Sequence, residues 1–118
     1  MNIKFYDSNH EQAYYDLMKQ MKSQDCYHSA LAYLLTLDTV CREHWQNLYD
    51  PTADIILFDG LKQGWQTGTS IRTTLLAFNL WNTYVDDDAK RSTPDEIFCC
   101  QYVPYYFEAI KLRFSEYL

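Results

Sequence analysis

The chain has 118 residues, 47% of them hydrophobic, with only three glycines, three prolines and a formal charge of −6. That length suits one domain over residues 1–118 around a single core, and so few turn formers argue against a many-stranded barrel or sandwich, whose turn signals recur every 8–12 residues or so. The negative charge and the lack of a basic stripe argue against direct binding to nucleic-acid phosphate, and no apolar run approaches the roughly 18 residues of a membrane span.

Taken in chain order, the first predicted helix opens on Ser8 and Glu11, an S-x-x-E capping box. Ala13, Leu17 and Met21 then recur every four residues, with Tyr14 and Met18 beside them, as one apolar face requires. Asp25 is the expected cap of a second helix reaching to about residue 48. Its stripe runs through Tyr27, Ala30, Leu34, Leu37, Cys41, His44, Trp45 and Leu48, with Asp38 and Arg42 spaced as a helical ion pair. Asp50-Pro51 ends it, because a residue before proline is pushed out of helical geometry.

Residues 54–58 could be strand or helix. No second strand is evident, so the expectation is an apolar anchor, then a short helix over 59–63 closed by Gly64 or Gly68 in a left-handed conformation. Residues 69–85 carry two apolar stripes, Ile71, Leu75, Phe78, Trp81 and Val85 on one and Leu76, Leu80 and Tyr84 on the other. A helix apolar around most of its circumference is expected at the centre of its neighbours. A polar loop then ends in Thr93, Pro94 and Glu96, a second capping box, and Pro104 is expected to kink or break the helix begun there. Phe107, Ile110, Phe114 and Tyr117 mark a last helix, with Lys111 and Arg113 near its C-terminus. The expected architecture is all-α, a compact bundle of about five helices.

Among candidate sites, "GWQTGTSIRTT" at 64–74 has the letters of either a phosphate cradle or a helix start. Unpaired amides at a helix N-terminus, with Arg72 in the first turn, would receive an anion. The Walker lysine is missing, however, and a cap at Thr69 or Ser70 accounts for the same residues. Trp65, Gln66, Thr69, Ser70 and Arg72 are therefore the candidates for binding a ligand or anion, and the capping reading is preferred.

Cys41 and His44 share a helical face. Completing a zinc site would need ligands from Cys26, His28, Cys99 and Cys100, none arranged as C-x-x-C, so neither metal nor cofactor is expected. The HExxH and GxSxG patterns are absent, and the acidic loop at 86–88 lacks the glycine and glutamate of an EF-hand. No catalytic residue is assigned. Eleven tyrosines exceed what narrow stripes can bury. Tyrosine joins apolar area to a hydrogen-bonding tip, which makes Tyr102, Tyr105 and Tyr106 candidates for an interface.

At "WQTGTSIRTTLLAFNLWN", chiefly through "WQTG", Ser70 and "AFNLWN", the sequence resembles a family of short uncharacterised proteins from Gram-positive gut bacteria and their mobile elements. The resemblance implies a bacterial, cytoplasmic setting and carries over no functional residue. The expected function is that of a non-enzymatic acidic interaction protein binding another protein or itself as a homo-oligomer. One version is an anti-CRISPR-like inhibitor that occupies the basic groove of a host defence nuclease. The alternative is a small-molecule or anion-binding domain built on 65–72.

Overall fold

A computed structural model describes residues 2–118. Helix α1 (Ser8–Gln20) starts at the predicted cap residue and is capped one residue earlier: Asp7 is extended and its carboxylate accepts from the His10 amide at 2.8 Å, so Ser8 is already helical. It buries His10, Tyr14, Leu17 and Met18. At its far end the Met18 carbonyl accepts from the Met21 amide, and the Gln24 side-chain amide donates to the carbonyls of both Met18 and Met21.

The predicted second helix is in fact two. Helix α2 (Cys26–Leu37) is capped by Asp25 as expected, and every residue from Ala30 to Leu37 is buried. The chain then turns extended at Asp38, whose carboxylate caps α3 (Thr39–Glu43) by accepting from the Val40 and Cys41 amides. Arg42 reaches back from α3 and donates to the Thr36 and Leu37 carbonyls at the end of α2. The two charges thus cap two helix ends, and the expected Asp38–Arg42 ion pair gives way to bonds with backbone.

A 3-10 turn over Trp45–Asn47 leads into a hairpin, β1 (Tyr49–Asp50) and β2 (Ile55–Ile56), antiparallel with Tyr49 opposite Ile56 and Asp50 opposite Ile55. The strand partner that the sequence did not reveal is only two residues long and lies inside the "YDPTAD" turn. Asp54 closes that turn with φ 59°, a left-handed conformation that aspartate tolerates better than most residues. Another 3-10 segment, Phe58–Lys62, occupies the place of the expected short helix. Neither Gly64 nor Gly68 is left-handed. Gly60 is the glycine that packing requires, because a Cβ there would collide with the Asn47 carbonyl and the Leu48 side chain.

Helix α4 (Gly68–Asn82) begins at a reciprocal capping box of Thr67 and Ser70 and stops at Thr83, φ 66°, short of the expected residue 85. After a 3-10 turn over Ala89–Ser92 comes the single-turn helix α5 (Pro94–Ile97). Thr93 precedes it, but its hydroxyl donates to the Lys90 carbonyl, and the predicted box with Glu96 does not form. Pro104 does not interrupt a helix. It sits in the first turn of α6 (Val103–Arg113), where its missing N–H has no intrahelical role.

The fold is all-α, as expected, with six α-helices among the described residues. Its axle is α2, against which α1, α3, α4 and α6 all pack, and not the helix after Trp65. Helix α4 flanks that axle, buries Ser70, Leu80 and every residue from Thr73 to Phe78, and carries a candidate site at each of its ends. No helix among the described residues is long and apolar enough to cross a membrane.

Candidate functional site

At the start of α4 most of the predicted ligand residues serve their own chain. Ser70 is fully buried; its hydroxyl accepts from the Thr67 amide at 2.7 Å and donates to the Gln66 side-chain oxygen. Gln66 in turn donates to the Gly60 carbonyl at 3.0 Å. The Thr69 carbonyl accepts from the Thr73 hydroxyl at 3.0 Å. Trp65 stacks on the His44 ring, centroids 4.4 Å apart, and its buried indole N–H has no partner among the described residues. Arg72 differs from these four. Its Nε donates to the Glu96 carbonyl at 2.9 Å, and its side chain helps wall a cavity of about 330 Å³ together with Gly68, Ile71, Leu75, Arg91 and Glu96. Arg91, paired with Asp86 at 2.9 Å, is the second cation of that cavity, and no sequence motif pointed to it.

The tyrosine candidates separate in the same way. Tyr106 is wholly buried with its hydroxyl 2.6 Å from that of Thr73, and Tyr102 is nearly so, its phenol pushed up to about 12 by burial. Both are core side chains rather than parts of an exposed face. Only Tyr105 is half-buried at the surface, edge-on to Tyr6 and beneath the Lys4 ammonium.

Of the cysteines, Cys41 is buried beside Thr74 and burial pushes its thiol up to about 12, which suppresses the reactive thiolate. Cys99 is exposed. Cys41 and His44 find no third ligand, since no group of three metal-binding side chains gathers among the described residues.

The opposite end of α4 carries a feature that no sequence pattern marked. Asp54, Ile55, Ile56, Phe58, Trp81 and Asn82 line a groove of about 380 Å³ between the hairpin and the end of α4. Ile55 is 50% exposed and Phe58 47% exposed, high values for large apolar side chains. The Phe58 ring leans on Tyr84, centroids 4.9 Å apart, and meets Phe78 edge-on behind it. One carboxylate, Asp54, lies on the groove wall; Asp50 is the cross-strand partner of Ile55, Asp59 follows Phe58 in the chain, and Asp86, 3.4 Å from the Tyr84 hydroxyl, is paired with Arg91.

Beneath the groove lies a polar cluster. The buried His28 ring has Nδ1 2.7 Å from Asp25 and Nε2 2.8 Å from Asp54, and Asp54 also accepts from the Tyr49 hydroxyl. The Trp81 ring meets the His28 ring edge-on at 4.8 Å. Burial works against charge on His28, but its bonds to Asp25 and Asp54 outweigh that and raise its pKa above the ordinary value. For both aspartates burial also opposes the charge and the hydrogen bonds win, holding them below the usual carboxylate range. Asp25 was legible as a helix cap, and His28 only as a candidate metal ligand. Nothing in linear sequence joined them to Tyr49, Asp54 and Trp81. With both ring nitrogens facing carboxylates, His28 is built to hold a proton rather than to pass one on.

A model of a family of unknown function, DUF6075, matches residues 1–118. The chain belongs to DUF6075. The match spans every helix and the hairpin, so the groove, the His28 cluster and the Arg72 cavity of this DUF6075 member all lie within it. No curated protein and no solved structure matches the chain.

Proposed function

We propose that this protein is a non-enzymatic acidic binding module whose partner is a protein with a basic surface, engaged at the hairpin groove. The observation that carries the reading is the pairing of half-exposed Ile55 and Phe58 with Asp54 on the groove wall, on a chain of charge −6. Exposed apolar surface gathered in one place marks a binding site more often than scattered apolar residues do, and rim charges set which partner approaches and how fast. A host nuclease with a basic nucleic-acid groove, met in a bacterial cytoplasm, is one partner of that chemistry.

The test is capture from bacterial lysate at low and high salt, with Phe58→Asp as the matched bait. A basic partner retained at low salt, released at high salt and lost with Phe58→Asp supports the reading. Retention that is indifferent to both salt and Phe58→Asp sinks it.

The Arg72 cavity favours a second reading, a site for a small anion. Two guanidinium groups from separate elements border it; Arg91 is already paired with Asp86 and Glu96 shares the lining, so Arg72, at the start of α4, is the cation the reading depends on. A ligand held there raises the melting temperature by mass action. Thermal shift against phosphate, nucleotides and sugar phosphates should then show a rise that Arg72→Ala abolishes. A flat response in the wild type excludes this reading.

A further inference from the structure

We infer that Asp25, His28 and Asp54 form a proton-dependent latch that fastens the hairpin wall of the groove to helix α2, holding the groove in its binding shape while His28 is charged and releasing it when His28 is neutral. Its consequence for binding rests on the proposed role of the groove; the latch itself is a property of the isolated chain.

The geometry carries the inference. A carboxylate only accepts hydrogen bonds, and each ring nitrogen of His28 lies within 2.8 Å of one, so both contacts need an N–H. Only the imidazolium has two. A neutral ring keeps one bond and turns a lone pair toward the other carboxylate, replacing attraction with repulsion. Which contact fails is set by how each aspartate is held. Asp25 is three residues from His28 on the same helix start, where it also accepts from the His28 amide at 3.0 Å and the Ser23 hydroxyl at 3.1 Å. Asp54 reaches His28 across 26 residues from a turn in which its own backbone is left-handed, and its other side-chain bond, from the Tyr49 hydroxyl, lies within the hairpin and moves with it. The bond between Nε2 and Asp54 is therefore the one that opens.

Tyr49 and Ile56 hold one face of the hairpin in the core, so it is the turn end, with Asp54 and half-exposed Ile55, that the His28 contact fastens. The hairpin ladder is two residues long on each side, below what stands alone in water. The groups facing His28 and Asp54 come from every neighbouring element: Lys22 ahead of α2, Asp25 at its start, Tyr49 and Asp50 on β1, Asp54 in the turn, and the uncharged Trp81 ring on α4. The Tyr49 phenol, pushed up by burial and its bond to Asp54, stays protonated where His28 titrates. The two aspartates, held below the usual carboxylate range, stay charged there, which leaves His28 as the group of the cluster whose charge changes. Asp54, Ile55, Phe58 and Trp81 line the groove, so its shape follows the latch.

The experiment is a pH titration of the whole chain by NMR. It follows the His28 ring together with the Ile55 and Ile56 methyl groups and the Trp81 indole. The expected result is that the hairpin signals move with the His28 midpoint, on the alkaline side of 6.5, and that Asp54→Asn lowers that midpoint by about one pH unit, a tenfold loss of proton affinity. With His28→Gln the hairpin signals should lose the transition altogether. Hairpin signals that stay flat while His28 titrates, or a midpoint unmoved by Asp54→Asn, overturn the latch. Asp54→Asn keeps the test decisive should His28→Gln not fold. Because no partner is present, a failed latch is distinct from a failed groove, which the Phe58→Asp bait reports separately.

Discussion

His10 shows how far one buried ring can be specified by its neighbours. It has no exposed surface, its Nδ1 accepts from the Tyr6 amide at 3.0 Å, and its Nε2 donates to the Tyr33 carbonyl at 2.9 Å. That assigns the neutral ring with its hydrogen on Nε2. Burial lowers its pKa to about 4, while bonding to two carboxylates raises that of His28. The two histidines therefore contribute to stability in opposite pH ranges. The unfolded chain binds a proton at His10 near 6.5 where the folded chain does not, so its contribution is complete above 6.5 and falls as pH drops toward 4, a loss of about 2 kcal/mol between pH 7 and pH 5. His28 works the other way, contributing fully below 6.5 and losing its share as pH rises through its folded value. Ring titration by NMR should find His10 neutral at pH 5 and His28 still charged above 6.5. Both rings titrating near 6.5 would contradict the two assignments. Thiol alkylation with peptide mapping gives a parallel check: Cys99 should react first and Cys41 last, because one is exposed and the other buried and held protonated.

At the scale of elements, helix starts were legible to within about two residues, but of the expected caps only Asp25 bonds as read. Asp7 stands in for Ser8, Thr67 for Thr69 or Ser70, and Thr93 makes no capping bond. The helix break was hidden altogether. Asp25 caps α2 as its position implied, because a side-chain acceptor ahead of an apolar stripe is a local signal. The break at Asp38 was hidden because α3 buries Cys41 against α4, so the stripe continues across two helices in register. Asp38 reads as one half of an ion pair in either case, and only the extended backbone reveals it as a cap. Replacing it by alanine strips the Val40 and Cys41 amides of their acceptor. Asp38→Ala should cost about 1–2 kcal/mol in urea unfolding, and a loss below a few tenths would show that the cap is dispensable. The hairpin was missed for a different reason: a two-residue strand has no period to detect. Its support is equally non-local, since Gly60 lets the 3-10 segment press on Asn47 and Leu48. Gly60→Ala should therefore destabilise by about 1–3 kcal/mol through overpacking, whereas Gly64→Ala, with open space around it, should be close to neutral.

For the molecule as a whole, apolar periodicity revealed the class of fold but not its centre. Residues 69–85 are apolar on most sides and α4 is indeed largely buried, yet α2 is the more enclosed because four helices converge on it. Circumferential hydrophobicity identifies a buried helix, not which of two buried helices is innermost. The groove was less legible still, being assembled from residues near 28, 54–58 and 81–84 that no spacing rule connects. This division between core and groove sets up a comparison of two apolar truncations. Leu34 is fully enclosed, so Leu34→Ala leaves a cavity and should cost about 2–5 kcal/mol. Phe58 already has nearly half its surface in solvent, 47%, so much of its burial energy is not available to the fold. Phe58→Ala should then cost well under half of what Leu34→Ala costs in urea unfolding while abolishing capture of the basic partner. Leu34→Ala, measured below its melting temperature, should leave capture intact. If Phe58→Ala destabilises as much as Leu34→Ala does, Phe58 is a core residue in disguise, and the groove loses its claim to be a surface kept apolar for binding.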